Sequence, residues 1–320
     1  MILAGDVGGT KSNLGLFDVQ QGALVRLADK RYPSREHRGL EEIVKDFVAT
    51  TGAKVTAASF GIAGPVVDYK VRAGNLPWII DGATLASQLG LDRVRLMNDL
   101  EATAYGISVM GPGDLDTIYA GVPAPQAPRA VIAAGTGLGE AILFWDGTKH
   151  VPTATEGGHA DFAPHTEQQV ELWRFIKARS EFVSNELLLS GRGFRTVHEF
   201  LDSSVRHPGF DDPTIDPAPG ITRMALAKEC PVCVATLQLW VEIYGSEAGN
   251  LAVRTVARGG IYVAGGIAVK ILPLLKDGRF AAAARHKEKM QDFLAQVPIH
   301  VVLDEECPLK GAAYVASKGL

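Results

Sequence analysis

Short apolar runs that stop at glycine-rich turns recur along this chain, and between them apolar residues return every three to four positions. Ile2-Leu3-Ala4 leads into Gly5-Asp6-Val7-Gly8-Gly9-Thr10, after which Leu14 and Leu16 alternate with polar or small residues, a pattern that predicts a β-hairpin. Ala130 to Ala134, the turn Gly135-Thr136-Gly137-Leu138-Gly139 and the apolar run to Trp145 repeat that design, down to a closing Asp146 after the aromatic. A third strand-to-glycine passage, Gly259 to Ala268, is followed by a helical stretch at 269–275. Elsewhere, Leu40, Ile43, Val44, Phe47 and Val48 fall at helical spacing and predict an amphipathic helix over 39–51. Strands are predicted at 56–62, 94–97 and 299–303, a long helix at about 233–257 and a last helix at 309–317 that could return to the N-terminal domain. The alternation of strand and helix reads as α/β, and the repeated hairpin suggests two related domains.

Length agrees with two domains, since 320 residues exceed what one ordinary core holds. With 47% hydrophobic and 21% charged residues the chain reads as globular, and a net charge of -4 gives no support for a nucleic-acid partner or an acidic membrane surface. No apolar run approaches the roughly 20 residues of a membrane helix, and no basic leader precedes Ile2, so a cytoplasmic protein is expected. Three cysteines, Cys230, Cys233 and Cys307, do not suggest a disulfide framework. Cys230-Pro231-Val232-Cys233 has the spacing of half a zinc site, but no second pair stands beside it. With Leu237, Leu239 and Trp240 following, the two thiols read as small apolar residues near the start of a buried helix.

Candidate chemistry gathers at the turns. At Asn98-Asp99 an apolar strand gives way to a helix, and the carboxyl edge of a parallel strand is where α/β proteins bind ligands. Helix capping is a sufficient structural reason for Asp99 taken alone. Glycine hairpins can turn backbone amides onto phosphate oxygens or can simply be tight turns, and two of them facing across a cleft could grip a polyphosphate. Neither matches the Walker spacing, and Gly135-Thr136-Gly137 is not followed by the helix of a dinucleotide fingerprint. Thr155-Glu156-Gly157-Gly158-His159 offers a carboxylate and an imidazole on a loop, since its glycines disfavour a helix. Glu186 falls in the first turn of a short helix capped by Ser184, where the helix dipole favours it. Ala73-Gly74-Asn75-Leu76-Pro77-Trp78 is either loop punctuation or a ligand-lining turn, and the acidic, Pro-rich passage from Asp211 to Gly220 reads as a loop with no metal.

In one order the chain carries Gly5-Asp6-Val7-Gly8-Gly9-Thr10, Asn98-Asp99, Gly135-Thr136-Gly137-Leu138-Gly139, Thr155-Glu156-Gly157-Gly158-His159, Ser184-x-Glu186-x-x-Leu189-Ser190-Gly191 and Val263-Ala264-Gly265-Gly266-Ile267. This ordered set closely resembles the bacterial glucokinase family over nearly the whole length. The resemblance implies two ribonuclease-H-like domains of the actin/hexokinase type with a cleft between them. It places a small domain at residues 1–107, completed by a C-terminal helix at 308–320, and a large domain at 108–307. It implies ATP-dependent phosphorylation of glucose at O6 and commonly a homodimer. Asp99 is implied as general base, and Asn75, Asn98, Glu156, His159 and Glu186 as sugar contacts. Gly5, Asp6, Val7, Gly8, Gly9 and Thr10 resemble one phosphate loop and Gly135, Thr136 and Gly137 the other, while Gly265 and Gly266 resemble the adenosine-side turn. Asp6 is implied to orient Mg2+ through water. The chain departs from the family in continuing Lys11-Ser12-Asn13 where Asn-Ala-Arg is more usual. The Cys-rich zinc motif of the related repressor, open-reading-frame and kinase family does not follow His159, which favours the zinc-free glucokinase group. A kinase for mannose, N-acetylglucosamine or fructose would share these motifs. A non-catalytic sugar sensor usually needs an added DNA-binding segment, and a chaperone-like or structural ATPase of this fold would not need the Glu156, His159 and Glu186 set.

Overall fold

A computed structural model of the chain describes residues 1–74, 76–207, 210, 212 and 215–319. Two compact units make it up: residues 1–114 with 151–154 and 304–320, and residues 115–150 with 155–303.

The first unit contains β1 (Ile2–Val7), β2 (Lys11–Gln20), β3 (Ala23–Pro33), β4 (Ala57–Ile62), the short strands β5 (Val66–Val67), β6 (Lys70–Arg72) and β7 (Ile79–Asp81), and β8 (Arg95–Asn98). Its main sheet runs β3-β2-β1-β4-β8, antiparallel across β3, β2 and β1 and parallel across β1, β4 and β8. Apolar residues occupy nearly every position of β1, as a central strand covered on both faces requires. By contrast β3, the edge strand, carries Arg26, Asp29, Lys30 and Arg31 and is mostly exposed, which discourages pairing with another chain. Leu40, Ile43, Val44 and Phe47 bury one face of the helix Leu40–Thr51, and Gly52 ends it at φ 62°. The last helix, Cys307–Lys318, belongs to this unit: Leu309, Ala312, Ala313 and Ala316 cluster with Ile2, Ala4 and Phe17 of β1 and β2.

A second sheet consists of β9 (Leu115–Tyr119), β10 (Arg129–Ala134), β11 (Leu138–Trp145), β12 (His150–Thr155), β13 (Ile261–Ala264) and β14 (Ile299–Val302), in the order β12-β11-β10-β13-β14-β9. The pair β10 and β11 is antiparallel and β10, β13 and β14 are parallel. Leaving β9 aside, this is the strand order of the first sheet again, the duplicated ribonuclease-H-like arrangement that the repeated hairpins suggest. The helix Pro231–Thr255 is the centre of the core, with Trp240 Nε1 donating to Leu188 O at 2.7 Å and Tyr244 Oη to Ile132 O at 3.2 Å. Among the described residues no single helix is long and apolar enough to cross a membrane.

Expectations about three helix starts needed correction. Asn98, not Asp99, is the N-cap of the helix Asp99–Ile107. Ser184 occupies the N-cap position of the helix Asn185–Leu188 without a side-chain capping bond. Part of the acidic loop is helical, because Pro219 falls in the first turn of the helix Ala218–Leu226, where its missing amide costs nothing.

Candidate active site

Within the first unit, β1 ends in the hairpin that holds Gly5 to Thr10. Gly8 N donates to Lys11 O at 3.0 Å, closing the turn, and Ser34 Oγ donates to Gly8 O at 2.8 Å, fixing it from outside. Gly5 is packed against Phe60, whose Cδ1 lies 2.5 Å from where a Cβ would stand, so its glycine is required by the sheet. Asp6 faces Asn13 across the hairpin, with Asn13 Nδ2 donating to Asp6 Oδ2 at 3.1 Å. Arg31 Nε, from β3, donates in turn to Asn13 Oδ1 at 3.1 Å. The departure at Lys11-Ser12-Asn13 therefore still brings a guanidinium into a relay toward Asp6. Nothing in the sequence marked Arg31, because its placement depends on the β2–β3 register. Burial lifts the Asp6 carboxyl above its usual range, against the pull of Asn13, Lys11 and Arg31. A divalent cation would offset that cost, and an oxygen donor of this kind fits Mg2+.

Two strands away, β8 delivers Asn98 and the helix that follows begins with Asp99. Asn98 Oδ1 accepts from Leu100 N at 2.8 Å and Asn98 Nδ2 donates to Gly64 O at 3.4 Å. Asp99 Oδ1 accepts from the same amide at 3.0 Å, and both side chains are partly exposed. Gly61 of β4 lets this helix approach the sheet: a Cβ there would lie 2.6 Å from Ala102 Cβ and 3.7 Å from Asp99 Cα.

The second unit assembles its own residues through backbone bonds between loops. Gly135 N donates to Gly137 O at 2.8 Å, and Gly191 N donates to Gly135 O at 2.9 Å, so the glycine turn rests on the start of the helix Gly191–Leu201. Glu186 Oε2 accepts from Leu138 N at 3.0 Å, which ties the short helix Asn185–Leu188 to the same turn. No described protein atom lies within 4 Å of where a Cβ would project from Gly135 or from Gly266, and no positive φ is required at either. Gly265 does need its glycine, at φ 87° with Ala134 O 2.5 Å from the Cβ position. Open space over Gly135 and Gly266 leaves room for a ligand to approach the backbone.

Glu156 stands at the N-cap of a 3-10 turn over Gly157–His159, of which His159 is the last residue, tighter than the plain loop expected. His159 Nε2 stands 3.9 Å from Glu156 Oε2, with both side chains 64% exposed. Asn185 N donates to Ala160 O and Phe162 N to Val183 O, each at 2.9 Å, so the loops carrying Glu156, His159 and Glu186 are clipped together. Asn75 lies outside the described residues. Below the 3-10 turn sits Glu140, whose carboxylate abuts Gly157 and is 1% exposed. Burial, with Glu247 beside it, pushes this carboxyl up to about 8, so it is largely protonated at neutral pH. The signal for Glu140 was a single carboxylate inside the apolar run Leu138 to Phe144.

The family model described as Glucokinase matches residues 3–319. A curated glucokinase of Nostoc sp. is 35% identical, with 99% of each chain covered. Among solved structures, a glucokinase from an Antarctic psychrotroph superposes with TM-score 0.86 at 27% identity, over 99% of this chain and 98% of that one. A glucokinase from Balamuthia mandrillaris in complex with glucose gives TM-score 0.81 at 21% identity, over 99% and 93%, a likeness of fold.

Proposed function

This chain belongs to the glucokinase family and is an enzyme that phosphorylates glucose at the expense of ATP, and from that premise we propose that the phosphoryl group goes to O6 of the sugar with Asp99 as general base. The observation that carries the proposal is the position of Asp99, a partly exposed carboxylate at the carboxyl end of a parallel strand, beside an Asn98 that takes the shorter bond to the helix amide. Phosphoryl transfer asks mostly for alignment and charge stabilisation. The glycine turns at Gly5 to Thr10 and Gly135 to Gly137 supply backbone amides for phosphate oxygens, and Gly265 and Gly266 take the adenosine. Asn98, Glu156, His159 and Glu186, with Asn75, bind the sugar hydroxyls. A site built to hydrogen-bond hydroxyls rejects sugars that lack or misplace them. Asp99 accepts the hydroxyl proton late, as the new P–O bond acidifies it. Asp6 would hold Mg2+ through water, and the ion would supply charge neutralisation on the phosphates. The assembly proposed is a homodimer, as the sequence resemblance implies.

The test is Asp99→Asn assayed across glucose, mannose, N-acetylglucosamine and fructose by coupled ADP release. Glucose is expected to give the highest kcat/KM in the parent protein, and the variant is expected to lose about 10²- to 10⁴-fold in kcat with its glucose KM within several-fold. Near-normal turnover would remove Asp99 from the base role, and a preference for another hexose would reassign the sugar. Position 6 is read from the product by nuclear magnetic resonance.

A further inference from the structure

Four side chains of the second unit that the kinase reading does not use converge on one point. His198 lies on the helix Gly191–Leu201, His207 follows in the next loop, and Cys230 and Cys233 sit at the N-cap and first turn of the helix Pro231–Thr255. Their nitrogen and sulfur atoms all lie within 4.8 Å of one another. His207 Nε2 is 3.2 Å from Cys233 Sγ and 3.5 Å from Cys230 Sγ. A tetrahedral zinc ion with bonds of about 2.3 Å to sulfur and about 2.0 Å to nitrogen sets its ligand atoms roughly 3.3 to 3.8 Å apart. Those two edges are therefore already close to that length.

The second observation is His198 itself. It is 0% exposed, and neither Nδ1 nor Nε2 finds a hydrogen-bond partner among the described residues. Buried imidazoles ordinarily satisfy both nitrogens, so one that satisfies neither calls for a ligand. Phe210 packs against both imidazoles, with its ring 4.9 Å from that of His198 and 5.6 Å from that of His207, and both thiols are buried. Cys233 N donates to Cys230 Sγ at 3.5 Å, and the start of the long helix favours negative sulfur.

We propose that His198, His207, Cys230 and Cys233 form a Cys2His2 zinc site that fastens the helix Gly191–Leu201 to the start of the helix Pro231–Thr255. Binding replaces the two thiol protons, which leave to solvent, by two Zn–S bonds, while each neutral imidazole donates a lone pair. Two thiolates balance the dication, so the buried centre is neutral. All four positions are filled by protein, the mark of a structural site rather than a catalytic one. Its place in the fold gives it a task. The helix it anchors begins at Gly191, whose amide holds Gly135 O, so the metal fixes the far end of the element that braces the glycine turn.

The test reads metal directly and is independent of which sugar is phosphorylated. Protein purified without added metal and passed through gel filtration is expected to hold about one zinc per chain by plasma mass spectrometry. Chelator-stripped protein titrated with cobalt(II) is expected to develop the strong visible bands of a tetrahedral ion and thiolate-to-cobalt charge transfer, saturating at one equivalent and bleached by zinc. His207→Ala, whose side chain lies in a loop, and Cys230→Ser are expected to lose zinc on gel filtration and to give no tetrahedral cobalt spectrum. Should a variant fail to fold, the cobalt spectrum of the parent chain decides. A parent chain that takes up neither ion with its thiols reduced overturns the proposal, and so does full zinc retention in both folded variants.

Discussion

Asn98 and Asp99 both accept from Leu100 N, at 2.8 and 3.0 Å, and the distinction between them sets what each substitution should do. Asn98 has the extended N-cap backbone, so Asn98→Ala removes the cap and should cost about 1 kcal/mol of stability. Asp99→Asn leaves that cap in place, so it should lower kcat with little change in melting temperature; thermal melts of the two variants side by side check the separation. Glu140 makes a second residue-scale prediction. Its carboxyl keeps a proton up to about pH 8 in the folded chain, whereas a free glutamate loses it near 4.5. The folded state therefore binds the extra proton across that window, and the stabilisation this gives is complete below about pH 4.5 and lost as pH rises toward 8. Glu140→Gln keeps the shape without the titration. Melting temperatures of the parent should fall between about pH 5 and pH 8 more steeply than those of the variant; parallel slopes would show that Glu140 does not carry the effect.

At the scale of elements, the helix Asp99–Ile107 is wedged by glycines on two sides. Gly61 admits it to the sheet, while Gly106 faces the Cys307 carbonyl and Gly311 of the last helix faces the Ala102 carbonyl. Overpacking of this kind costs about 1 to 3 kcal/mol. Gly61→Ala should lose that much in urea unfolding and, by displacing the helix that begins at Asp99, should lower kcat as well. Gly135→Ala is the contrast, since its Cβ would meet nothing in the described protein and its φ is not positive. It should leave the unfolding midpoint unchanged and raise the KM for ATP, the result expected where a glycine makes room for a ligand. Elements with strong periodicity were legible: the expected 39–51 helix is observed at Leu40–Thr51, and the expected strand at 299–303 at Ile299–Val302. The edge strand β3 was not, because its charged face lacks alternation, and the helix Glu167–Lys177 was not, because its buried face includes the polar Gln169 beside Leu172 and Ile176.

For the molecule as a whole, the duplicated hairpin was visible in the residues, whereas what meets across distant parts of the chain was not. Cys230 and Cys233 announce half a metal site by spacing, but His198 and His207 are single histidines whose approach to them requires two helices to pack. Arg31 likewise reaches Asn13 only through strand register. The same long-range closure governs folding. The first unit needs residues from both ends of the sequence, since the helix Cys307–Lys318 covers β1 and β2 and also packs on the helix Asp99–Ile107, whereas the second unit is nearly continuous. Leu309 is 2% exposed against that seam, and truncating a buried leucine costs about 2 to 5 kcal/mol. Trp78 is the tryptophan of the first unit, while Trp145, Trp173 and Trp240 belong to the second. Leu309→Ala, in chains that retain Trp78 alone or Trp240 alone, should therefore shift the denaturant midpoint reported by Trp78 well below that reported by Trp240. Equal shifts at the two positions would mean that the units unfold as one and that closure by the last helix stabilises both.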